Sequence, residues 1–356
     1  LWTGDAHYGS IPGQRPSQLP NPELKWETTA SFDLGLEFGI LNNRLSAEVD
    51  YYVRNTTDLL LAQEVPGTSG FASIIRNLGK LNNKGIEFTI NSENIVTRDF
   101  RWTTNINFGL NKNEITDLNG QELGIGNINR AREGQPIGVF VGREFAGADP
   151  ANGDAVWYKN TRDASGKLDR TPTSDYNEAQ EVVLGSPNPD FIYGMRNNFT
   201  FKGFDLDIFL QGVQGNNVYD GGGQYSSASG SNGFDNQSID QLAAWKNPGD
   251  ITMVPEARTF WANGTDPSSR WLYDGSYLRV KQLTLGYNLP KSVLSKVKIE
   301  RARFYVRGQN LFTFTNYKGW DPEVNADYQA SNINQGVDFY SMPQMRTIIF
   351  GVSIGL

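Results

Sequence analysis

The chain has 356 residues, a formal net charge of −7, 38 glycines and no cysteine. The lack of cysteine excludes a disulfide scaffold and a thiolate-bound zinc site, and the mild acidity argues against a nucleic-acid binder, which would carry a basic stripe. No run approaches the roughly 20 consecutive apolar residues of a membrane-spanning helix, so a helical membrane protein is also excluded.

The first part of the chain predicts a loop followed by two hairpins. Residues 1–27 are rich in Gly, Pro, Ser and Asn, which indicates a loop. Apolar and polar residues then alternate in four runs, at 32–38, 45–53, 86–91 and 102–110. Short connections at 41–44 and 95–99 join these runs in pairs, and 55–83 is a longer connection. Side chains in a strand alternate between two faces, so each run predicts a strand with one apolar and one polar face.

The most regular pattern is a hairpin between Asn188 and Gln211, with Lys202-Gly203 as its tight turn. One face is predicted to be apolar and carries Phe191, Tyr193, Phe199, Phe201, Phe204, Leu206, Ile208 and Leu210. The other is predicted to be polar and carries Arg196, Asn198, Asp205, Asp207 and Gln211. Phe209 is an exception, because its parity places an aromatic ring on the polar face.

The last third predicts three more strands. A polar stretch up to 276 contains one predicted short helix at 238–246. The strand at 277–288 breaks its alternation near Lys281-Gln282, which indicates a β-bulge unless the strand assignment itself is wrong. A helical turn at 290–298 and strands at 304–314 and 348–356 complete the chain.

The lengths of the connections favour a membrane barrel over a soluble sheet. Nine predicted strands are joined alternately by short and long connections, which is typical of a transmembrane antiparallel β-barrel with short periplasmic turns and long extracellular loops. In that all-β fold the apolar face of the hairpin contacts lipid and the polar face lines the lumen. Nine is an odd number, whereas single-chain bacterial barrels have even numbers, so we expect further strands from sequence upstream of Leu1.

Eight short motifs then occur in a characteristic order. They are LPNPELKWE at 19–27, NKGIE at 83–87, GQPIG at 134–138, GSPNPDF at 185–191, SYLRVK at 276–281, LGYNLP at 285–290, GQNLF at 308–312 and WDPE at 320–323. With these motifs the chain resembles the C-terminal β-barrel part of SusC/RagA-type TonB-dependent outer-membrane transporters. The resemblance implies that 1–356 is the C-terminal portion of one barrel domain, about the last nine of roughly 22 strands around a plugged lumen. The N-terminal extension, the plug and the first strands would then lie outside this chain.

The resemblance also implies a function. TonB-dependent active import of a large nutrient across the outer membrane of a Gram-negative bacterium of the Bacteroidetes type is expected. The partners would be a SusD-like surface lipoprotein, the TonB complex and outer-membrane lipid, and neither nucleic acid nor a cofactor is expected. An oligosaccharide or glycan is the favoured ligand, and a peptide is the alternative. A soluble secreted β-rich protein that binds carbohydrate is the alternative from a different class.

The tryptophans of the long connections are the candidate ligand contacts, because their rings can stack on sugars or pack against peptide side chains. They are Trp157, Trp245, Trp261, Trp271 and Trp320. The alternative is that they form the packed cores that long loops need. A second group of rings near the short turns is predicted to form an aromatic girdle at the membrane interface. This group contains Phe100, Trp102, Phe201 and Phe204.

The sequence gives little support for catalysis or for metal binding. With one histidine and no cysteine, the sequence predicts no catalytic residue, and Asp205 and Asp207 are better interpreted as lumen-facing residues than as a glycosidase pair. The acidic loop from Asp163 to Asp169 has too few carboxylates for a confident calcium site, so calcium there is the alternative to a plain solvated loop, and no metal residue is assigned. Leu356 stands where the family commonly ends on an aromatic residue.

Overall fold

The computed structural model describes residues 2–124, 126, 128–228, 236–295, 299–325 and 333–355. Its main feature is one antiparallel sheet of nine strands, called the wall below. The nine strands are β1 (Thr28–Ile40), β2 (Leu45–Thr57), β3 (Lys80–Val96), β4 (Phe100–Asp117), β5 (Phe191–Phe201), β6 (Phe204–Gln214), β7 (Tyr277–Asn288), β8 (Arg301–Thr315) and β9 (Thr347–Gly355).

Each wall strand pairs with the next strand in the chain, so the sheet is a simple up-and-down meander from β1 to β9. These are the nine strands that the alternating runs predict, and their number is confirmed. The turn after β5 consists of Lys202 and Gly203, both with positive φ (45° and 92°), as a tight hairpin turn requires.

The predicted bulge in β7 is confirmed. Phe209 pairs with Gln282 while Leu210 pairs with Val280, so Lys281 has no partner in β6. The β8 side shifts at the same place, between Val280 and Gln282. The bulge lets two residues three positions apart, Arg279 and Gln282, reach the same polar face of the wall.

The two faces of the wall differ in chemistry. On the apolar face, aromatic rings stack between neighbouring strands, with centroid distances of 4.9 Å for Phe88–Phe108 and 5.3 Å for Phe108–Phe191. On the polar face, Arg196 Nε donates to Asp207 at 2.6 Å and Gln282 donates to the same carboxylate at 2.8 Å. Strict alternation along regular strands is what separates these two sets.

Several predictions about the connections are wrong. Residues 1–27 are not only a loop, since Trp2–Tyr8 and Ile11–Pro16 form a hairpin around Gly9. Leu60–Glu64 and Ser73–Asn77 form another within 55–83. The first of these hairpins is almost entirely exposed, so no apolar face marks it in the sequence.

Strands β2 and β3 also extend beyond their alternating runs, to Thr57 and from Lys80. Polar pairs hold these extensions together, for example Asn82 donating to Asn55 at 2.7 Å. Such pairs stabilise a ladder without leaving an apolar pattern to detect.

Helical structure is sparse. The predicted helix at 238–246 is only a 3₁₀ segment, Ile239–Ala243, whose apolar residues Ile239 and Leu242 are exposed and so have no surface to pack against. Of 290–298, Lys291–Leu294 is helical, and 296–298 lie outside the described residues. Gly223–Ser226 is a short helix, and Gly67–Ser69 and Ser269–Trp271 are 3₁₀ turns. Among the described residues, no helix is long and apolar enough to cross a bilayer.

In the described residues, the long connections form three small sheets that pack around buried apolar clusters. The sheets consist of Asn129–Arg130, Val139–Gly142 and Val182–Gly185; of Phe145–Ala148, Ala155–Tyr158 and Pro172–Thr173; and of Asn217–Asp220, Leu272–Asp274 and Val337–Asp338. Phe145 packs with Trp157, and Phe140 with Tyr219 and Trp271, in two separate buried clusters. The long loops are therefore structured elements.

Candidate ligand-binding cavity

A cavity of about 610 Å³ lies among the long connections and is called the loop cavity. It adjoins the small sheet of Asn217–Asp220, Leu272–Asp274 and Val337–Asp338, which continues from the end of β6 and leads into β7. This end of the strands is opposite the turn at Lys202-Gly203. The volume is within the usual range for a small-ligand site. The residues that line the cavity include three aromatic residues and three carboxylates. They are Tyr273, Trp320, Tyr340, Asp220, Asp240 and Asp338.

Two of the carboxylates lie side by side, because Asp220 and Asp338 are partners in paired parallel strands. Asp338 Oδ2 accepts a hydrogen bond from the Tyr317 hydroxyl at 2.7 Å, and its Oδ1 accepts one from the Ser341 amide at 3.1 Å. Asp220 Oδ1 accepts one from the Gly223 amide at 2.9 Å. Burial, reinforced by the nearby Asp338, raises the pKa of the Asp220 carboxyl.

The aromatic residues supply ring faces and neutral hydroxyl groups. Burial raises the pKa of Tyr273 to about 12, so its hydroxyl is protonated at neutral pH. The Lys318 ammonium lies 5.4 Å from the Tyr273 ring centroid. Trp320 is the most open of the three rings, with 72% of its surface exposed. Rings bordered by carboxylate acceptors can bind a ligand that has both apolar faces and many hydroxyl or amide donors.

An ionic cluster places the turn that carries Trp320 on the polar side of the wall. Arg279 on the polar face of β7 contacts Asp321, the residue after Trp320. Arg279 Nη1 also donates to Glu323 at 2.9 Å. The loop cavity is therefore connected to the polar face of the wall and not to the apolar face.

The structure separates the five candidate tryptophans into two groups. Trp157, Trp245 and Trp271 are buried within the long connections. Trp157 packs against Tyr176 at 5.2 Å, and Trp245 and Trp271 donate to the carbonyls of Pro150 and Asp266, both at 3.2 Å. Their burial favours the alternative interpretation, in which these three tryptophans form the cores of the long loops.

Trp261 and Trp320 are exposed by 68% and 72%. Trp320 lines the loop cavity, whereas Trp261 is not among the residues around it. Asp220, Tyr273, Asp338 and Tyr340 were not among the site residues predicted from the sequence. They come from three distant segments, and the only local signal was the run Gly221-Gly222-Gly223 directly after a short strand.

The predicted polar residues of the central hairpin share one face of the wall. Arg196 pairs with Asp207, and Asp205 pairs with Arg303, whose Nε lies 3.0 Å from Oδ1. Asn198 and Gln211 follow the same parity, as does Phe209 opposite Arg196. Because each aspartate has its own arginine, the two carboxylates are engaged in ion pairs rather than placed together as a catalytic pair.

The rings proposed for the girdle lie beside the short turns. Phe201 pairs with both Phe100 and Phe204, and Phe201 and Phe204 are about half exposed. Trp102 stacks on Phe199 at 5.5 Å. These positions gather the rings at one end of the apolar face.

The loop from Asp163 to Asp169 closes on itself. Asp163 Oδ1 accepts hydrogen bonds from the amides of Ser165 and Lys167 at 2.8 and 3.0 Å. Hydrogen bonds from the Ser165 hydroxyl and, next in size, from the Lys167 amide lower the pKa of the Asp163 carboxyl. In the part of the chain that the structure describes, no three acidic or histidine side chains converge as metal ligands would.

A sequential antiparallel sheet with one apolar face, short turns at one end and long structured loops at the other is the wall of an outer-membrane β-barrel. The family described as "TonB dependent receptor-like, beta-barrel" matches residues 4–311. The chain belongs to this family of TonB-dependent receptors, and the fold class expected from the sequence is confirmed.

Individual relatives point to one branch of that family. The chain is 38% identical over 356 residues to TonB-dependent receptor P3 of Formosa agariphila. That match covers 95% of this chain and 35% of the receptor. It is 30% identical over 370 residues to TonB-dependent receptor SusC of Bacteroides thetaiotaomicron. That match covers 99% of this chain and 34% of SusC.

A solved structure of the RagAB peptide transporter superposes with a TM-score of 0.86 at 30% identity, covering 99% of this chain and 38% of the other. The expected resemblance to SusC/RagA-type receptors is confirmed. The chain spans only 34% to 38% of the length of these three relatives.

Proposed function

We propose that this chain is the C-terminal portion of the barrel of an outer-membrane transporter that imports a large polar nutrient, driven by TonB. The observation that carries the proposal is the loop cavity, a site of binding size linked to the polar face of a barrel wall. Its place at the loop end of the strands is where a ligand arriving from outside would meet the receptor. The family and the match to SusC support the same function.

The face assignment follows from this proposal. The apolar-face residues of the hairpin contact lipid, and Arg196, Asn198, Asp205, Asp207 and Gln211 face the lumen and the plug. The difference in chemistry between the two faces supports this, because a charge in the lipid near the midplane costs about 2–4 kcal/mol. Strand β1 is exposed along its whole length, as expected for a strand that pairs with a further strand in the whole receptor.

Two partners are proposed besides lipid. A SusD-like lipoprotein would cover the loop end and deliver the ligand, and the TonB complex would act through parts of the receptor outside this chain. The relatives named SusC and RagAB support both proposals. The Formosa and Bacteroides relatives also favour the outer membrane of a Bacteroidetes-type bacterium.

The ligand that fits the cavity best is an oligosaccharide. Tyr273, Trp320 and Tyr340 offer rings for sugar faces, while Asp220, Asp240 and Asp338 offer acceptors for hydroxyl groups. A peptide is the second candidate, favoured by the structural match to the RagAB peptide transporter. One uptake assay that supplies each ligand class separately distinguishes the two candidates.

The test is uptake by cells that carry the whole receptor. Fluorescently labelled glucose hexasaccharides and labelled peptides of mixed sequence are supplied separately, with and without functional TonB. We expect TonB-dependent uptake of the hexasaccharides, reduced about tenfold by Trp320→Ala because stacking on the ring is lost.

Trp261→Ala is the matched control, since Trp261 is equally exposed but lies outside the cavity. Its uptake should equal that of the wild type. Uptake of the peptides alone would replace the oligosaccharide with a peptide, and uptake that is independent of TonB would exclude the proposed transport mechanism.

A further inference from the structure

A buried ionic cluster joins the wall to the turn that carries Trp320. The Arg279 side chain is only 1% exposed, and its two terminal amino groups contact Asp321 and Glu323, the latter at 2.9 Å. Lys281 Nζ reaches the same Glu323 oxygen at 2.7 Å. Residues 321–323 are therefore attached to the wall by one arginine fork and one lysine.

The β-bulge at Lys281 makes this attachment possible. It places Arg279 opposite Gln211 on the polar face and leaves Lys281 unpaired in β6. Without the extra residue, Arg279 and Gln282 would lie on opposite faces, because side chains alternate along a regular strand. The bulge thus places Arg279 on the polar face although its sequence parity matches that of Leu283 and Leu285 on the apolar face, and Lys281 within the bulge reaches the same turn.

Asp321 connects the cluster to the rest of the loop. Its Oδ1 also accepts a hydrogen bond from the Glu323 amide, and its Oδ2 accepts one from the Gln344 amide, both at 2.9 Å. One buried carboxylate therefore holds its own turn, the segment before β9 and the wall together. A carboxylate with this many donors fixes the backbone on which it sits.

Trp320 is the exposed residue on this fixed backbone. Trp320 lines the loop cavity and also a second cavity of about 360 Å³, which Arg279 and Asp321 line as well. The ring therefore stands at the boundary of two cavities, while the residue after it is buried. A tryptophan on a fixed backbone has only two side-chain torsions left to restrict, so it loses little conformational entropy when a ligand stacks on it.

We propose that Arg279 is a positioning residue that, through Asp321 and Glu323, holds the Trp320 ring at the boundary of the two cavities for contact with a ring-bearing ligand. This inference rests on the proposed function only for the identity of the ligand. The position of the ring itself can be measured without any ligand.

The first arm of the test is spectroscopic. The whole receptor, purified in detergent, is labelled with 5-fluorotryptophan, and the ¹⁹F resonance of Trp320 is assigned from its loss in Trp320→Phe. We expect a single narrow resonance in the wild type that shifts and broadens in Arg279→Met. In Arg279→Lys, which keeps the charge but loses the planar fork of the guanidinium, the change should be intermediate.

Arg303→Met is the matched control, because Arg303 pairs with Asp205 on the same face near the turn at Lys202-Gly203, far along the strands from Trp320. It should leave the Trp320 resonance unchanged. If Arg279→Met does not assemble, Glu323→Gln replaces it, since it leaves the pair of Arg279 with Asp321 intact and should produce a smaller shift of the same resonance. An unchanged resonance in these Arg279 and Glu323 variants would overturn the proposal.

The second arm is a double-mutant cycle on uptake of the labelled glucose hexasaccharide. Arg279→Met and Trp320→Ala should each reduce uptake about tenfold, and the double variant should be no worse than Trp320→Ala. Equal losses from Arg279→Met with and without Trp320 would show a general structural role and overturn the proposal. A shifted ¹⁹F resonance together with normal uptake in Trp320→Ala would instead contradict the proposed binding function and leave the positioning role standing.

Discussion

Asn197 shows how a polar side chain is accommodated on the apolar face. It shares this face with Phe199, and its Oδ1 accepts hydrogen bonds from Trp102 Nε1 at 3.0 Å and from Thr104 Oγ1 at 2.7 Å. Polar atoms in contact with lipid must find partners within the protein, because the hydrocarbon offers none. This network is therefore expected to contribute to the stability of the wall.

Asn197→Leu tests this expectation. It leaves the Trp102 and Thr104 donors without an acceptor, and we expect a loss of about 1–3 kcal/mol in the free energy of unfolding of the whole receptor. The measurement is a urea titration of the barrel in detergent. Asn198→Ala, on the opposite face, is the control and should change the unfolding midpoint much less.

Neighbouring substitutions test the face assignment directly. Ile208→Asp places a charge on the apolar face and is expected to block assembly of the barrel, since the cost is of order 2–4 kcal/mol. Asp207→Asn replaces the charge-assisted hydrogen bond to Arg196 with a weaker neutral one, so it should cost about 1 kcal/mol and leave assembly intact. Assembly is measured by the heat-dependent shift of the folded barrel on a gel. If the two variants behave alike, the face assignment is wrong.

The raised pKa of Asp220 predicts that the stability of the backbone around the loop cavity depends on pH. Burial raises its folded-state pKa, helped by Asp338 and Asp240 and opposed by the Gly223 amide. The folded state then binds the proton more tightly than the unfolded state, so local stability falls as pH rises from the ordinary aspartate pKa, about 3.9, through the raised value. Hydrogen exchange of 217–223 should accelerate from pH 4 to pH 7 beyond its intrinsic rate. Asp220→Asn should remove that difference, and a pH-independent wild type would contradict the assignment.

The turns and bulges of individual strands decide where side chains are directed. The Lys202-Gly203 turn was evident from its composition, and the β7 bulge from a break in alternation, because both leave local marks in the sequence. The polar extensions of β2 and β3 and the exposed hairpin at Trp2–Pro16 left none. Their strands are held by backbone pairing and polar contacts, and not by an apolar face.

Gly203 is the residue on which the central hairpin turn depends. Its φ is +92°, and a Cβ would lie 2.9 Å from the Asn288 carbonyl oxygen. Gly203→Ala is expected to destabilise the hairpin by about 1–3 kcal/mol through backbone strain and this contact. Lys202→Gly is the control, because its positive φ favours glycine. Refolding yields into detergent should fall for the first variant and not for the second.

The whole receptor should behave as an integral membrane barrel. The nine-stranded wall exposes large apolar side chains along one face, including Phe32, Phe312 and Phe350. We expect the receptor to require detergent for extraction and to migrate differently on a gel before and after heating. Free solubility without detergent would favour the soluble carbohydrate-binding alternative and contradict the barrel.

The architecture and the candidate site differ in how far they could be predicted. Period-two alternation and the lengths of connections are local properties, so the sequence alone was enough for nine strands, two faces, the bulge and the family resemblance. The cavity depends on contacts between residues far apart in the chain, such as Asp220 beside Asp338 and Arg279 beside Asp321. Only the tertiary structure decided that Trp157, Trp245 and Trp271 are buried while Trp320 is exposed. The physical reason is that burial depends on which segments pack together and not on the identity of the side chain.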